Sequence, residues 1–99
     1  MDISALDLEP LTQICRLNDV TFLGVFGSFA RGDATPESDL DLVARFAKRK
    51  SLLALVRLER ELSNALGRKV DLLTEASIHP YLRDRIQAET TVLYNDSTG

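Results

Sequence analysis

The chain has 99 residues, of which 44% are hydrophobic and 27% charged, a composition typical of one folded domain rather than a disordered segment. Its net charge of −3, from 12 basic and 15 acidic residues, excludes a general attraction to nucleic acid or to an anionic membrane. The N-terminal segment lacks the basic and apolar regions of a signal peptide, and no apolar run approaches the ~20 residues that span a bilayer. We therefore expect a cytoplasmic protein with no membrane contact and no direct nucleic-acid binding.

The first predicted element is a helix over residues 8–18, because Leu8, Leu11 and Ile14 recur at helical spacing. Cys15 falls on the same face and is the only cysteine, so the chain cannot form an internal disulfide. A free cysteine in an amphipathic helix behaves as a small hydrophobic residue. We expect Cys15 to be a buried structural thiol rather than a nucleophile.

Two strands and an intervening loop follow the first helix. Residues 20–26 are dense in β-branched and aromatic side chains and predict a buried strand that ends at Gly27. The segment GSFARGDATPESD has the composition of a loop, with one helical turn near residues 28–31. Residues 39–46 alternate in character and predict a second strand.

The next predicted helix is capped by Ser51 and ends at Leu66, with Gly67 directly after it. A basic turn, Lys48-Arg49-Lys50, precedes this helix, and its role stays open between a solvated turn and a contact with a partner or nucleotide. The helix carries an apolar stripe that we expect to face the core: Leu52, Leu55, Leu58, Leu62 and Leu66.

The last third of the chain predicts a third strand over residues 69–74 and a third helix over residues 79–89, with Leu82 and Ile86 facing the core. Residues 91–94 predict a short final strand or an extended tail.

The resulting order, α-β-β-α-β-α-(β), predicts an α/β (α+β) fold in which helices flank a small mixed β-sheet. We take residues 1–94 as one domain and residues 95–99 as a frayed tail.

Gly27 and Ser28 form the first candidate site, at the end of the first strand. Glycine lets the backbone turn sharply and approach a ligand, and the following amides and the Ser28 hydroxyl can donate to phosphate oxygens. A strand followed by Gly-Ser is common, and on its own it would indicate only a turn.

Asp39 and Asp41 form the second candidate site. Residues i and i+2 of a strand point to one face with Cα atoms ~6.5 Å apart, so the two carboxylates repel each other unless a cation lies between them. Carboxylate oxygens together with substrate phosphates suit Mg²⁺. The alternative, a solvated strand face, is disfavoured because aspartate is uncommon in strands and Val43 continues the same face.

Asp71 is a single carboxylate in the otherwise apolar third strand. If this strand pairs beside the Asp39/Asp41 strand, Asp71 joins the same site, where it could act as a general base toward an acceptor hydroxyl. The alternative is an exposed aspartate at a strand end.

Gly27-Ser28, ten intervening residues and Asp39-x-Asp41 reproduce the G-S-x10-D-x-D motif of the DNA polymerase β-like nucleotidyltransferases. The wider text GSFARGDATPESDLDLVARF resembles the minimal nucleotidyltransferase (MNT) proteins, and GRKVDLL resembles the strand that carries the third carboxylate in this family. The resemblance covers about residues 20–94. It implies a nucleotidyltransferase fold and a Mg²⁺-dependent nucleotidyltransferase that takes ATP as its substrate.

The same resemblance implies roles for individual residues. It assigns Gly27, Ser28 and Arg31 to nucleotide binding, and Arg31 could pair bidentately with a phosphate unless it is only a solvated loop residue. It assigns three carboxylates to the metal ions and to catalysis: Asp39, Asp41 and Asp71.

MNT proteins often act as antitoxins of HEPN-domain toxins, so the resemblance implies a HEPN-type partner, a hetero-oligomer and AMP transfer from ATP to a toxin tyrosine. We expect the catalytic core to use nearly the whole chain, so that the acceptor comes from another protein. Two alternatives stay open. One is an antitoxin that neutralises its partner by binding alone, and the other is a nucleotidyltransferase that acts on a small molecule.

Overall fold

The computed structural model describes residues 8–96, which form a four-stranded sheet between two layers of helix. A 3₁₀ turn, Glu75–Ser77, follows the third strand. No helix in the described part of the chain is long and apolar enough to cross a membrane. The elements follow the predicted order: α1 (Leu8–Leu17), β1 (Val20–Phe26), α2 (Ser28–Arg31), β2 (Leu40–Phe46), α3 (Leu52–Leu66), β3 (Val70–Thr74), α4 (Pro80–Glu89) and β4 (Thr91–Asn95).

The strands lie in the order β3-β2-β1-β4. Strand β1 is antiparallel to both β2 and β4, whereas β2 and β3 are parallel. Parallel neighbours require a crossover connection, and α3 provides it. The sheet is therefore mixed, as predicted, and β3 occupies one of its edges.

The final segment is a strand rather than an extended tail, because β4 pairs with β1. Strand β4 includes Asn95, and the Asp96 N–H donates to the Thr21 carbonyl at 2.8 Å. The first two residues of the predicted frayed tail are therefore held to the sheet, which corrects its starting point. Residues 97–99, like residues 1–7 of the predicted domain, lie outside the described part of the chain.

Helices α1 and α3 cover one face of the sheet and enclose the core. Leu40 and Leu42 of β2 are fully buried on this face, as their alternation predicts. Cys15 is buried in the same core, and burial raises the pKa of its thiol to about 11. The thiol therefore stays protonated near neutral pH, which confirms the structural role expected for it.

Helix α3 has the predicted ends but only part of the predicted packing. Ser51 accepts a hydrogen bond from the Ala54 N–H at 3.1 Å, and Gly67 terminates the helix with a φ of +69°. Leu58 and Leu62 are buried, but Leu52 is 78% exposed. The expectation that the whole stripe faces the core is wrong at its N-terminal end, where α3 extends beyond the packed layer.

Helix α4 lies over the opposite face of the sheet and begins after His79, whose Nδ1 accepts from the Tyr81 N–H at 3.1 Å. Leu82 is 46% exposed and Ile86 only partly buried. The expectation that Leu82 faces the core is wrong. Both side chains line an open cleft instead, because this face of the sheet is only partly covered.

Candidate active site

The turn after β1 has a backbone conformation that favours glycine. Gly27 has a φ of +73° and directly precedes the single helical turn α2. Phe29 is 1% exposed and anchors this turn in the core. Ser28 is therefore held between a central strand and a buried aromatic side chain, at the mouth of the cleft.

Gly27 lies against the carboxylate of Asp41. A Cβ atom added to Gly27 would lie 2.5 Å from Oδ2 of Asp41. The contact follows from strand pairing, because Phe26 at the end of β1 is in register with Asp41 near the start of β2. The two halves of the predicted motif, separated by ten residues in sequence, thus meet at one point.

The third carboxylate lies beside the second. Asp41 is in register with Asp71 on the parallel strand β3, where neighbouring strands lie ~4.8 Å apart. Asp71 is exposed rather than buried, because β3 is an edge strand and not a core strand. Asp39 precedes β2, and its Oδ2 lies 3.8 Å from Nζ of Lys69. The predicted carboxylates therefore gather at one end of the sheet.

Burial raises the pKa of Asp41 above its usual range, and the negative charges of Asp71 and Asp39 raise it further. Arg31 opposes the shift only in part. A carboxyl group perturbed by both burial and like charge is typical of functional sites, since a bound cation would relieve the repulsion.

A divalent cation fits the chemistry of these donors, although the described residues contain no preformed cluster of three His, Cys, Asp or Glu side chains that could hold a metal. Mg²⁺ commonly takes one or two carboxylates and completes its shell with water and substrate phosphates. Asp39, Asp41 and Asp71 supply carboxylates of this kind from adjacent positions. A nucleotide would have to supply further oxygen ligands.

Arg31 bridges the loop and α4. Its Nε lies 3.4 Å from Oδ2 of Asp33, and its Nη1 lies 3.7 Å from Oε1 of Glu89. The side chain is half-exposed and lines the same cleft as Gly27 and Ser28. Its side chain thus lies beside the cleft, and its role in nucleotide binding stays a prediction.

The loop before Asp39 is fixed by a second arginine. Arg68 donates from Nη1 to the Ser38 carbonyl at 3.1 Å, and its guanidinium carbon lies 4.6 Å from the centre of the Phe29 ring. The Ser38 hydroxyl accepts from the Thr35 N–H at 2.9 Å and so closes the turn before Asp39. Arg68 therefore connects the carboxylate strand to the Gly-Ser turn.

Four of the predicted site residues, Gly27, Ser28, Arg31 and Asp41, line an open cleft of about 390 Å³, a volume within the range of ligand-binding pockets, whereas Asp39 and Asp71 lie outside its lining. Four of its residues come from α4, and none of them was included in the predicted site. Their spacing of three, one and three residues places them on one face of the helix. The mixture of apolar and charged side chains on that face is the sequence feature from which this part of the site could have been predicted. The lining consists of Phe26, Gly27, Ser28, Arg31, Asp41, Leu82, Arg85, Ile86 and Glu89.

A profile of the nucleotidyltransferase domain family matches residues 9–93. The chain therefore belongs to the nucleotidyltransferase family. Over 65 residues it is 52% identical to MJ0435 of Methanocaldococcus jannaschii, a protein named as a candidate protein adenylyltransferase. That alignment spans 66% of this chain and 70% of the relative.

Solved structures share the fold. A candidate minimal nucleotidyltransferase superimposes with a TM-score of 0.76 at 36% identity, over 85% of this chain and 86% of that one. A toxin–antitoxin structure with AMP-PNP gives 0.80 at 23% identity, over 94% and 77%. A complex of a tri-AMPylated Shewanella oneidensis HEPN toxin with an MNT antitoxin gives 0.69 at 21% identity, over 89% and 69%. At 23% and 21% sequence identity, the similarity to these two structures establishes the fold alone.

Proposed function

We propose that this chain is a Mg²⁺-dependent antitoxin that transfers AMP from ATP to a tyrosine of a HEPN-type toxin, with which it forms a hetero-oligomer. The observation that carries the proposal is the contact of the Gly27 backbone with Asp41, beside Asp71 in register. The relatives support the choice of AMP, since one is named as a candidate protein adenylyltransferase. An MNT protein of the same fold, bound to an AMPylated HEPN toxin, supports the choice of partner.

The cleft offers a nucleoside triphosphate both hydrogen-bond donors with positive charge and an apolar surface. The Gly27–Ser28 turn and the Arg31 guanidinium supply donors for phosphate oxygens, and a planar guanidinium can pair with two of them. Arg85 adds a second cation from α4, and Leu82 provides an apolar surface nearby. We assign phosphate binding to the first group of donors.

The carboxylates would act on the reacting groups. Asp39, Asp41 and Asp71 would hold Mg²⁺ together with the triphosphate, and the bound ion supplies neutralisation of charge on the phosphates. Asp71 is the exposed carboxylate, so an incoming tyrosine can reach it. It takes the hydroxyl proton, the tyrosine oxygen bonds to the α-phosphorus, and the bond to pyrophosphate breaks as pyrophosphate leaves.

The test is incubation with ATP labelled on its α-phosphate, Mg²⁺ and the protein encoded next to this chain. We expect label on a tyrosine of that protein and a loss of at least about 100-fold in the Asp39→Ala variant, which removes a metal ligand. Asp84→Ala is the matched control, because Asp84 is an exposed aspartate on α4 that does not line the cleft.

A growth assay, in which the chain rescues cells from the toxicity of the neighbouring protein, separates neutralisation by catalysis from neutralisation by binding. If the neighbouring protein carries no label and the Asp39→Ala variant still neutralises it, the chain acts by binding alone and the proposal is wrong. Turnover of a small hydroxylated acceptor by the isolated chain, without label on the protein, would equally contradict it.

A further inference from the structure

The N-terminal half of α3 projects large apolar side chains into solvent. Leu52 is 78% exposed, Leu53 65% and Val56 49%, and we call these three residues the α3 ridge. Single exposed apolar residues are ordinary, but three on adjacent turns of one helix form a patch of the kind that marks interaction surfaces. The folded core does not use this patch, since α3 packs inward through Leu58 and Leu62.

Two cavities lie beside the α3 ridge. A groove of about 250 Å³ between α3 and the edge strand is lined by Leu52, Val56 and Leu72. A second cavity, of about 390 Å³, lies under the basic turn that precedes α3. Both are lined by Leu55 and Thr74, so the two cavities adjoin each other beside the ridge.

Cations surround the ridge. Among the described residues, four cations near the ridge form no ion pair within 4 Å. We call these four the basic rim: Lys48, Arg49, Arg57 and Arg60. Arg57 lies one helical turn from Leu53, and Arg60 one turn from Val56. The other two basic residues nearby are engaged, since Lys50 contacts Asp19 at 2.7 Å and Arg45 contacts Glu75 at 2.7 Å.

We propose that the α3 ridge and its basic rim are the docking surface for an acidic segment of the partner protein that also carries apolar side chains. The proposal rests on the proposed function for the existence of that partner. Glu59 and Glu75 also line these cavities, but Glu59 accepts from the Leu72 N–H and Glu75 pairs with Arg45. The four rim cations therefore leave this face predominantly basic on a protein whose net charge is −3, which favours an acidic chain. The apolar side chains of the partner would fill the groove, and its carboxylates would pair with the rim.

Other occupants fit less well. A second copy that used the same surface would bring two basic rims together across a two-fold axis, which like-charge repulsion disfavours. A lipid surface would be contacted by only three apolar side chains, whereas membrane affinity scales with the apolar area that is inserted. The concave groove suits side chains of a protein.

The surface is separate from the active site. Asp41 lies near the start of β2 and faces away from the core, whereas α3 begins after the end of β2 and covers the core face. A partner held on the α3 ridge therefore leaves the cleft open to ATP. The docking surface would raise the local concentration of the acceptor tyrosine without taking part in the chemistry.

The test compares two matched double variants in their binding to the neighbouring-gene protein by calorimetry. Leu53→Asp with Arg57→Glu changes the ridge and the rim. Leu17→Asp with Arg16→Glu changes the same residue types on α1, where Leu17 is 83% exposed. We expect the α3 variant to weaken binding at least about 30-fold and the α1 variant less than about 2-fold, because only the first removes an apolar anchor and a cation that would pair with the partner.

Label transfer provides a second measurement. The α3 variant should raise KM for the partner by a similar factor and leave kcat within about 2-fold, because the cleft is unchanged. Partner binding that depends on Leu53 and Arg57 supports the docking surface even if no label is transferred, an outcome that contradicts only the proposed function.

Several results would overturn the docking surface. These are equal affinity of the α3 variant and the wild-type chain, no binding by the wild-type chain, or an equal loss in the α1 variant. The docking surface would also be wrong if the wild-type chain sedimented with phosphatidylglycerol vesicles, or associated with itself, and the α3 substitutions abolished that behaviour.

Discussion

At the scale of single residues, Gly27 has two properties that an alanine cannot reproduce together. Its φ of +73° and ψ of −146° lie in a region that is nearly restricted to glycine, and the space at its Cα is occupied by Asp41. A side chain at this position would both strain the turn and move the carboxylate. Gly27 is therefore needed for the geometry of the neighbouring carboxylates, independently of the phosphate contact proposed for the Gly-Ser turn.

We expect Gly27→Ala to reduce label transfer at least about 100-fold, because displacement of a catalytic group by about 1 Å has effects of that size. The free energy of unfolding should fall by about 1–3 kcal/mol from backbone strain. Gly67→Ala is the control, since Gly67 has a similar φ of +69° but no atom near the added Cβ. The control should lose stability, measured by urea unfolding, and keep its activity. Equal activity of the two variants would contradict the steric argument.

The ionised carboxylate of Asp41 lowers the stability of the folded chain. Burial and the nearby Asp71 and Asp39 raise its pKa, so the folded chain binds the proton more tightly than the unfolded chain does. The wild-type protein therefore loses stability as the pH rises through the ordinary aspartate range and then through the raised value. The destabilisation is fully present above that raised pKa and absent at lower pH, where both states are protonated.

We expect Asp41→Asn to abolish transfer and to raise the free energy of unfolding at pH 7 by about 0.5 kcal/mol, a modest gain because solvent screens this partly exposed group. The gain should vanish below the ordinary aspartate range. Urea unfolding at pH 7 and pH 3 measures the difference, and Asp84→Asn is the exposed control. A variant that is less stable than wild type at pH 7, or equally stabilised at both pH values, would contradict this account.

At the scale of elements, α3 protects the edge of the sheet. The outer N–H of Leu72 donates to Oε2 of Glu59 at 2.9 Å, and the N–H of Val70 donates to the Ser63 hydroxyl at 3.1 Å. Unpaired edge strands invite association with other chains, and side chains that satisfy the edge reduce that tendency. These contacts hold β3, and with it Asp71, in place.

We expect Glu59→Ala to lower the free energy of unfolding by about 1–2 kcal/mol, because it removes a charge-assisted acceptor from a partly buried amide. Glu59→Gln keeps an acceptor oxygen and should lose less. Glu61→Ala, an exposed acidic residue on the same helix, should change stability by less than about 0.5 kcal/mol. Chemical unfolding of the three variants measures this order, and an equal loss in the first and third would contradict it.

At the scale of the whole molecule, charge is distributed unevenly over two faces. The carboxylates gather at one end of the sheet, and the basic rim surrounds the exposed start of α3. The net charge of −3 reveals neither the acidic nor the basic region, because it is the sum of all the charges in the chain. The acidic region coincides with the proposed nucleotide and cation site, and the basic region with the proposed docking surface.

The sequence predicted most of the fold and much of the candidate site. Periodicity and turn residues are local signals, so they located the α-helices and strands of residues 8–96 to within one or two residues, including the Ser51 cap, but not the 3₁₀ turn Glu75–Ser77. They could not determine which apolar residues are covered. Leu52 and Leu82 have the spacing of core residues, yet both are substantially exposed, because coverage depends on where neighbouring elements end.

The sequence by itself determined the family, the element order and the identity of the carboxylates, because the spacing of Gly27-Ser28 and Asp39-x-Asp41 is a local property of the chain. The tertiary structure alone decided that Gly27 touches Asp41, that Asp71 lies in register beside it and that α4 forms one wall of the cleft. These relations depend on strand pairing and on the packing of distant segments, which periodicity does not encode.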